Sequence, residues 1–283
     1  MNKNIKIVLA GTPQFSVPIF EQLIKNFHVV AIVSQPDKPA NRGYKLEPTP
    51  VKLLAQKYNI PLFQPEKIAQ IYDQLAEMDY DIFLSCAFGQ FVPTKVLNLA
   101  KKASLNIHGS LLPKYRGAAP IQHAIWNGEV ETGLNLIYMI NKMDAGNILK
   151  EVKIEILQTD TSDIMFDKLS SLGQKHIVSW INEFISGNFN EIIQDEEKVT
   201  LAPKLNKEEA FLDASLTIEQ AFNKIRAFSS NPGAYLFVDN RRLKVFYATK
   251  TSHPNAIKLP FSNGFLYAID YQYESKKRVT FKK

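Results

Sequence analysis

The sequence predicts an α/β protein, with a mostly parallel sheet covered by helices on both faces and then a small antiparallel β-barrel domain. Two observations carry this. Near the N-terminus, the apolar run Ile5 to Ala10, a Gly11-Thr12-Pro13 break, a helical pattern over Ser16 to Lys25 and a second apolar run from His28 to Ser34 spell a β-α-β unit. Strands joined by such a crossover lie parallel in one sheet, so the first part is expected to be Rossmann-like. Near the C-terminus, SSNPGAYLFV, RRLKVFYAT and GFLYAI are short strands separated by Asn, Gly and Pro turns, the texture of a small barrel.

The first turn holds one glycine rather than a G-x-G-x-x-G run, which weakens a dinucleotide-binding reading. Gln35 to Pro50 carries four prolines and one glycine, and is expected to be a long irregular loop. Val51 to Tyr58 reads as helix, Pro61 to Phe63 as strand and Ile68 to Met78 as helix. Asp81 to Cys86 reads as a buried strand that runs into the apolar loop AFGQFVP. Ala118 to Trp126 is a helix, Leu134 to Ile140 and Ile148 to Ile156 are strands, and Asn141 to Gly146 forms the loop between them. A long helix follows over Ser162 to Ser186, with Leu169, Leu172, Trp180, Ile181, Phe184 and Ile185 as its apolar face. Asn188 to Glu209 is polar with little periodicity, and Thr217 to Phe228 is again helical. The expected domains are 1–188, a linker 189–207 and a C-terminal domain 208–283.

A chain of 283 residues, 45% hydrophobic and 22% charged, has the ordinary balance of a globular protein and falls outside the disordered classes. One cysteine, Cys86, excludes an intramolecular disulfide framework, and five scattered histidines give no metal-ligand spacing, so no metal is expected. The first apolar run is too short for a signal segment and no run approaches a membrane span; a cytoplasmic protein with no membrane contact is expected. Charge is uneven. The net is −1 up to Val199 and +7 from Thr200 onward, where 14 Lys+Arg face 7 Asp+Glu. Such a basic C-terminal part suits a polyanionic partner, although the KKRVTFKK end also reads as a solubilising tail.

The stretch SLNIHGSLLPKYRGAAP, Ser104 to Pro120, opens as a strand and closes as a loop dense in polar groups and turn formers. Asn106 and His108 stand two apart on the strand and leave the same face, while Ile107 points into apolar packing. An amide that can donate to an oxyanion beside an imidazole that can move a proton suits acyl transfer. Taken on spacing alone, they read more simply as a turn residue and a capped histidine. Asp144, ahead of Ala145-Gly146, reads either as a turn residue bonding its own backbone or as a carboxylate for that site.

The pattern N-x-H-G-S-L-L-P-x-x-R-G, followed by Met143-Asp144-x-Gly146, resembles the signature of the folate-dependent formyltransferases, over about Ile5 to Tyr247. The resemblance implies transfer of a formyl group from 10-formyltetrahydrofolate to an amine, with Asn106, His108 and Asp144 as the catalytic group. It implies folate contact at Ser110, Leu111, Leu112 and Pro113, and at Phe88, Gly89 and Phe91 of the apolar loop. Phe88 and Phe91 also read as core, and Cys86 as a small buried hydrophobe. Arg42 to Lys52 (R-G-x-K-L-x-P-x-P-V-K) is similar to the insert of those members that formylate the amino group of methionyl-initiator tRNA. Their C-terminal domain is OB-like and binds tRNA. The expected tRNA contacts are Arg42, Lys45, Lys52, Arg116, Lys204 and Lys207. Arg116 is also explained by a salt bridge that staples its loop. Folate and initiator tRNA are then the partners of a protein expected to be monomeric. A sugar-nucleotide N-formyltransferase and a catalytically silent RNA-binding protein are the alternatives. The chain stops at Lys283, sooner than that pattern usually does, which leaves closure of the barrel open.

Overall fold

The computed structural model describes residues 2–40 and 45–281. Strand β1 (Asn2–Gly11), helix α1 (Ser16–Asn26) and strand β2 (Phe27–Val33) form the expected β-α-β unit, with β1 and β2 parallel. The Gln35 to Pro50 segment, expected to be irregular, contains an antiparallel ribbon of β3 (Lys38–Ala40) and β4 (Lys45–Glu47). Two three-residue strands flanked by proline are too short for periodicity to show. Helix α2 (Pro50–Lys57) starts where Thr49 accepts from the Lys52 amide and Pro50 takes the first helical position.

Strand β5 (Leu62–Phe63) and a 3₁₀ turn over Ile68–Ile71 lead to helix α3 (Tyr72–Glu77). Strand β6 (Ile82–Cys86) is buried throughout, as expected of a run covered on both faces of a parallel sheet. Helix α4 (Thr94–Leu97), strand β7 (Ala103–His108), helix α5 (Pro120–Trp126), strands β8 (Glu131–Tyr138) and β9 (Ile148–Glu155), and the long helix α6 (Ser162–Ile185) complete the N-terminal half.

The large sheet has the order β5-β2-β1-β6-β7-β8-β9. From β5 to β7 all neighbours are parallel, and β8 runs antiparallel to β7. The chain winds outward through β2 and β5, then returns to place β6 on the other side of β1. Ligands of open α/β sheets sit beyond the carboxyl ends of strands at such a reversal. Here those ends are Gly11, Cys86 and His108. Gly11 has no room for a side chain, since a Cβ would lie 2.6 Å from the Phe20 ring and 2.9 Å from the Cys86 carbonyl oxygen. Val8, Ala31, Val33, Phe83, Tyr80 and Val96 belong to the core on one face; burying each large apolar side chain contributes about 1.5–3 kcal/mol.

Helix α7 (Ile218–Phe228) opens with a capping box between Thr217 and Gln220. Strands β10 (Ala234–Val238), β11 (Arg241–Thr249), β12 (Ile257–Phe261), β13 (Gly264–Tyr273) and β14 (Val279–Thr280) follow, paired antiparallel in the path β10-β11-β13-β12 with β14 on β13. Among the described residues this path does not close into a ring, so the expected barrel is an antiparallel half-barrel with α7 against it. Phe222 meets Tyr247 edge to face at 6.4 Å.

The fold groups into two compact units, one of Met1–Arg116, Gly133–Lys153 and Asp167–Leu201 and the other of Gly117–Thr132, Ile154–Phe166 and Ala202–Lys283. The second thus gathers α5 and the segment before α6 around α7. Arg226 explains the latter: buried on α7, it donates to the carbonyls of Leu157 and Asp160 and to Asn223 Oδ1.

Candidate active site

At the carboxyl end of β7, alternation puts Asn106 and His108 on one face, and the β8–β9 connection brings Asp144 to them. Asn106 Nδ2 donates to Asp144 Oδ1 at 3.4 Å, and His108 Nδ1 lies 3.6 Å from Asp144 Oδ2, longer than a hydrogen bond. His108 is 5% exposed, and its Nε2 meets the Tyr115 carbonyl at 2.9 Å. A carbonyl only accepts, so Nε2 donates, and Nδ1 is left as the nitrogen that can exchange a proton beside the carboxylate. Three side chains that lie up to 38 positions apart in sequence thus share one corner.

The Asp144 loop is built to hold that corner. Asp144 itself has φ +50°, a conformation that Asp tolerates better than most residues. Gly146 is obligatory on space, because a Cβ there would sit 1.9 Å from the Tyr138 carbonyl oxygen. Gln194 Nε2 donates to the carbonyls of Asp144 at 2.8 Å and Gly146 at 2.7 Å, while Gln194 Oε1 accepts from Arg116 Nε at 3.0 Å. Arg116 is 3% exposed and also donates to Glu196 Oε1 at 2.9 Å, while Lys142 of the Asp144 loop donates to Glu196 Oε2 at 2.6 Å. The hydrogen bond from the Arg116 guanidinium holds the Glu196 carboxyl below its ordinary range, with Lys142 adding to the effect.

The buried placement of Arg116 corrects its expected role as a tRNA contact. A guanidinium committed to Gln194 and Glu196 cannot meet a phosphate, and the stapling explanation fits instead. Gln194 itself was not anticipated: it lies in the stretch read as a linker, where polar composition hid one buried amide. That stretch also pairs with the signature loop, since Tyr115 N donates to Thr200 Oγ1 and Arg116 N to the Thr200 carbonyl, each at 2.9 Å.

The signature loop is shaped from the other side by Asn135, a second residue that sequence reasoning missed. Fully buried and opposite His108 in the β7–β8 register, it accepts from Leu112 N at 2.7 Å. Ser110 is buried and donates to the Lys114 carbonyl, and Leu112 packs with Ile137 and Ile148. Leu111 and Pro113 stay partly exposed. Of the four expected folate contacts, Ser110 and Leu112 therefore have their side chains spent on loop shape.

In the apolar loop after β6, Phe88 is 2% exposed in the core beside Val92 and Val96, which corrects its ring as a folate contact. Its carbonyl accepts from Thr12 Oγ1 at 2.9 Å and Gln35 Nε2 at 3.0 Å, tying this loop to those after β1 and β2. Gly89 follows at φ +76°, and Phe91 is 67% exposed. Burial pushes the Cys86 thiol up to about 12, as befits a small core residue rather than a nucleophile.

Arg42 lies outside the described residues, and of Lys45 only its backbone place in β4 is described. Lys52 is partly buried and paired with Asp37, which also accepts from Gln64 Nε2 at 2.7 Å and from Thr49 N. Lys52 thus anchors the base of the ribbon, its charge already matched. Lys204 and Lys207 are exposed. Among the described residues no cluster of His, Cys, Asp or Glu has the makings of a metal site.

An amide, an imidazole and a carboxylate gathered at the carboxyl edge of an open α/β sheet have the chemistry that acyl transfer uses. The chain belongs to the formyl transferase family: residues 3–181 match its formyl transferase domain and 204–280 its formyl transferase C-terminal domain. A methionyl-tRNA formyltransferase of Mycoplasmopsis pulmonis is 56% identical over 276 residues, covering 97% of this chain and 96% of that protein. One from Lactobacillus acidophilus is 38% identical, covering 98% and 93%. The N-formyltransferase from Helicobacter canadensis, solved with folinic acid and dTDP-3-aminofucose, shares the fold with TM-score 0.72 at 22% identity, over 95% of this chain and 100% of that one.

Proposed function

We infer that this chain transfers a formyl group from 10-formyltetrahydrofolate to the free amino group of methionyl-initiator tRNA. The observation that carries the reaction is the meeting of Asn106, His108 and Asp144 at one corner of the sheet edge. Likeness to methionyl-tRNA formyltransferases over nearly the whole chain carries the acceptor.

In this scheme the neutral amine attacks the formyl carbon on N10 of the folate. A C–N bond forms and the carbonyl oxygen becomes an oxyanion, to which Asn106 Nδ2 donates. His108 Nδ1 takes the proton that the amine loses, with the Asp144 carboxylate balancing the imidazolium. The intermediate collapses as the C–N10 bond breaks, and the proton passes to N10. The nitrogen that accepts the new bond thus supplies the proton that the departing one needs. One oxyanion donor is worth about 10²- to 10³-fold in rate, and a positioned acid–base group about 10²- to 10⁴-fold.

Leu111, Pro113, Phe91 and the backbone at Gly89 remain available for the folate and the exposed Lys204 and Lys207 for the tRNA, while Arg42 and Lys45 are assigned to the tRNA on the resemblance of their segment alone. The functional division we propose is a catalytic domain 1–188, a connection 189–207 and an OB-like tRNA-binding domain 208–283, supported by family matches over 3–181 and 204–280. The enzyme in this reading is a cytoplasmic monomer, and no step calls on a metal.

The test is an acceptor comparison: initiator methionyl-tRNA, free methionine and an amino-sugar nucleotide, each with 10-formyltetrahydrofolate. Formylation of the tRNA alone is expected. Formylation of the sugar alone would overturn the assignment of acceptor.

A further inference from the structure

One face of the half-barrel carries aromatic rings and cations side by side. Along β10, alternation puts Tyr235 and Phe237 on the same face, and the antiparallel register sets Lys244 opposite Tyr235 and Arg242 opposite Phe237. Phe211 extends the row from outside β10: it bridges in parallel to Tyr235, with its ring 5.6 Å from that of Tyr235 and 6.5 Å from that of Phe237. The Arg242 guanidinium lies 3.8 Å over the Tyr235 ring. Its Nε has no hydrogen-bond partner, and among the described residues no carboxylate pairs with Arg242, Lys244 or Lys207. Lys244 donates to the Pro232 carbonyl at 2.7 Å; burial and the nearby charges of Arg242 and Lys207 hold its ammonium below the ordinary lysine range.

Cross-strand packing explains why aromatics pair on a sheet. It does not explain Phe237 at 59% exposure opposite Arg242, in a row with Lys244, where among the described residues no acid pairs with either cation. Like charges gathered without counter-charges raise the energy of the free protein, and a polyanion relieves that cost. The C-terminal stretch from Thr200 onward, with 14 Lys+Arg against 7 Asp+Glu, acts in the same direction. Rings interleaved with cations are the surface on which bases stack while phosphates meet charge.

We propose that this face is a stacking platform for unpaired nucleotides of the RNA substrate, with Phe237 and Tyr235 taking base planes, Phe211 extending the row, and Arg242, Lys244 and Lys207 meeting phosphates. It rests on the reading of the acceptor as tRNA, and adds to it the residues and the mode of contact.

The experiment measures binding of initiator tRNA, of single-stranded oligouridine and of inorganic polyphosphate to the full-length chain and to Phe237→Ala, Phe237→Leu and Arg242→Ala. The exposure of Phe237 makes both its substitutions compatible with folding. Loss of one stacked base weakens binding about tenfold, so Phe237→Ala and Phe237→Leu are both expected to bind tRNA and oligouridine about tenfold more weakly, and polyphosphate as before. Arg242→Ala is expected to reduce the salt slope of tRNA binding by about one. If the Phe237 variants bind RNA as the parent does, the platform is overturned while the acceptor assignment stands. If Leu restores what Ala loses, or the variants alter only self-association in light scattering, the face is an apolar protein contact and the proposal fails. If the parent chain itself binds no initiator tRNA, the proposed function falls and the platform with it.

Discussion

The side-chain amide of Gln194 donates to the backbone carbonyl of Asp144 at 2.8 Å, so the carboxylate proposed to balance His108 hangs from a residue 50 positions further along the chain. The same nitrogen holds Gly146, and the other end of the amide holds Arg116. Replacing it by leucine leaves two carbonyls and a guanidinium nitrogen without their partner, and each orphaned buried group costs about 1–3 kcal/mol. Misplacing a reacting group by an ångström costs about 10²-fold in rate. Gln194→Leu is therefore expected to lower the melting temperature and to slow formyl transfer by about 10²-fold. Calorimetry and steady-state formylation check the two effects; an unchanged rate would mean that the loop is held without this clamp.

Gly146 tests the same loop by space alone. A Cβ 1.9 Å from the Tyr138 carbonyl oxygen forces the backbone to move. Gly146→Ala is expected to fold, to retain Cys86 in its buried setting, and to lose most formyl transfer. An Ala variant with full activity would show that Asp144 tolerates displacement.

Acid stability offers a check far from the site. The Lys57 ammonium, then the Tyr58 hydroxyl and Lys25, hold the Glu21 carboxyl down at about 2. A carboxyl depressed in the folded state stabilises the protein above the unfolded value of about 4.3, and that stability fades as pH falls through the folded value. Solvent screens this partly exposed group, so the contribution is held to about 1 kcal/mol or less. The difference in melting temperature between the parent chain and Glu21→Gln is expected to be largest near neutral pH and to vanish as pH falls from about 4.3 toward 2. A difference that grows with acid would have the wrong sign.

Cys86, the single cysteine, has its thiol pushed up to about 12 by burial. The thiolate is the reactive form. Alkylation at neutral pH is expected only after denaturant is added, and rapid labelling of the native protein would contradict the buried placement.

Much of this site was legible because its two central residues are neighbours on one strand. Asn106 and His108 need only the two-residue period of β7 to emerge together, and the apolar runs of β1, β2 and β6 announce a parallel sheet without help from distant residues. What stayed hidden depends on partners far along the chain. Arg116 left two explanations open because its acceptor, Gln194, is 78 positions away. Asn135 gave no signal, since an amide in an apolar run says nothing about which loop it will hold. The antiparallel turn of β8 was equally silent, because strand direction is decided by tertiary pairing rather than by local pattern. Phe88 and Phe91 look alike in sequence, yet one is core and the other exposed.

The most direct test is the rate of formyl transfer from 10-formyltetrahydrofolate to initiator methionyl-tRNA by Asp144→Ala, measured at saturating tRNA on protein whose melting curve and folate binding match the parent. Loss of the carboxylate at the His108 corner is expected to slow transfer at least about 10²-fold, with Asn106→Ala and His108→Ala slowed to a similar degree. A folded Asp144→Ala enzyme working at the parental rate would contradict the account.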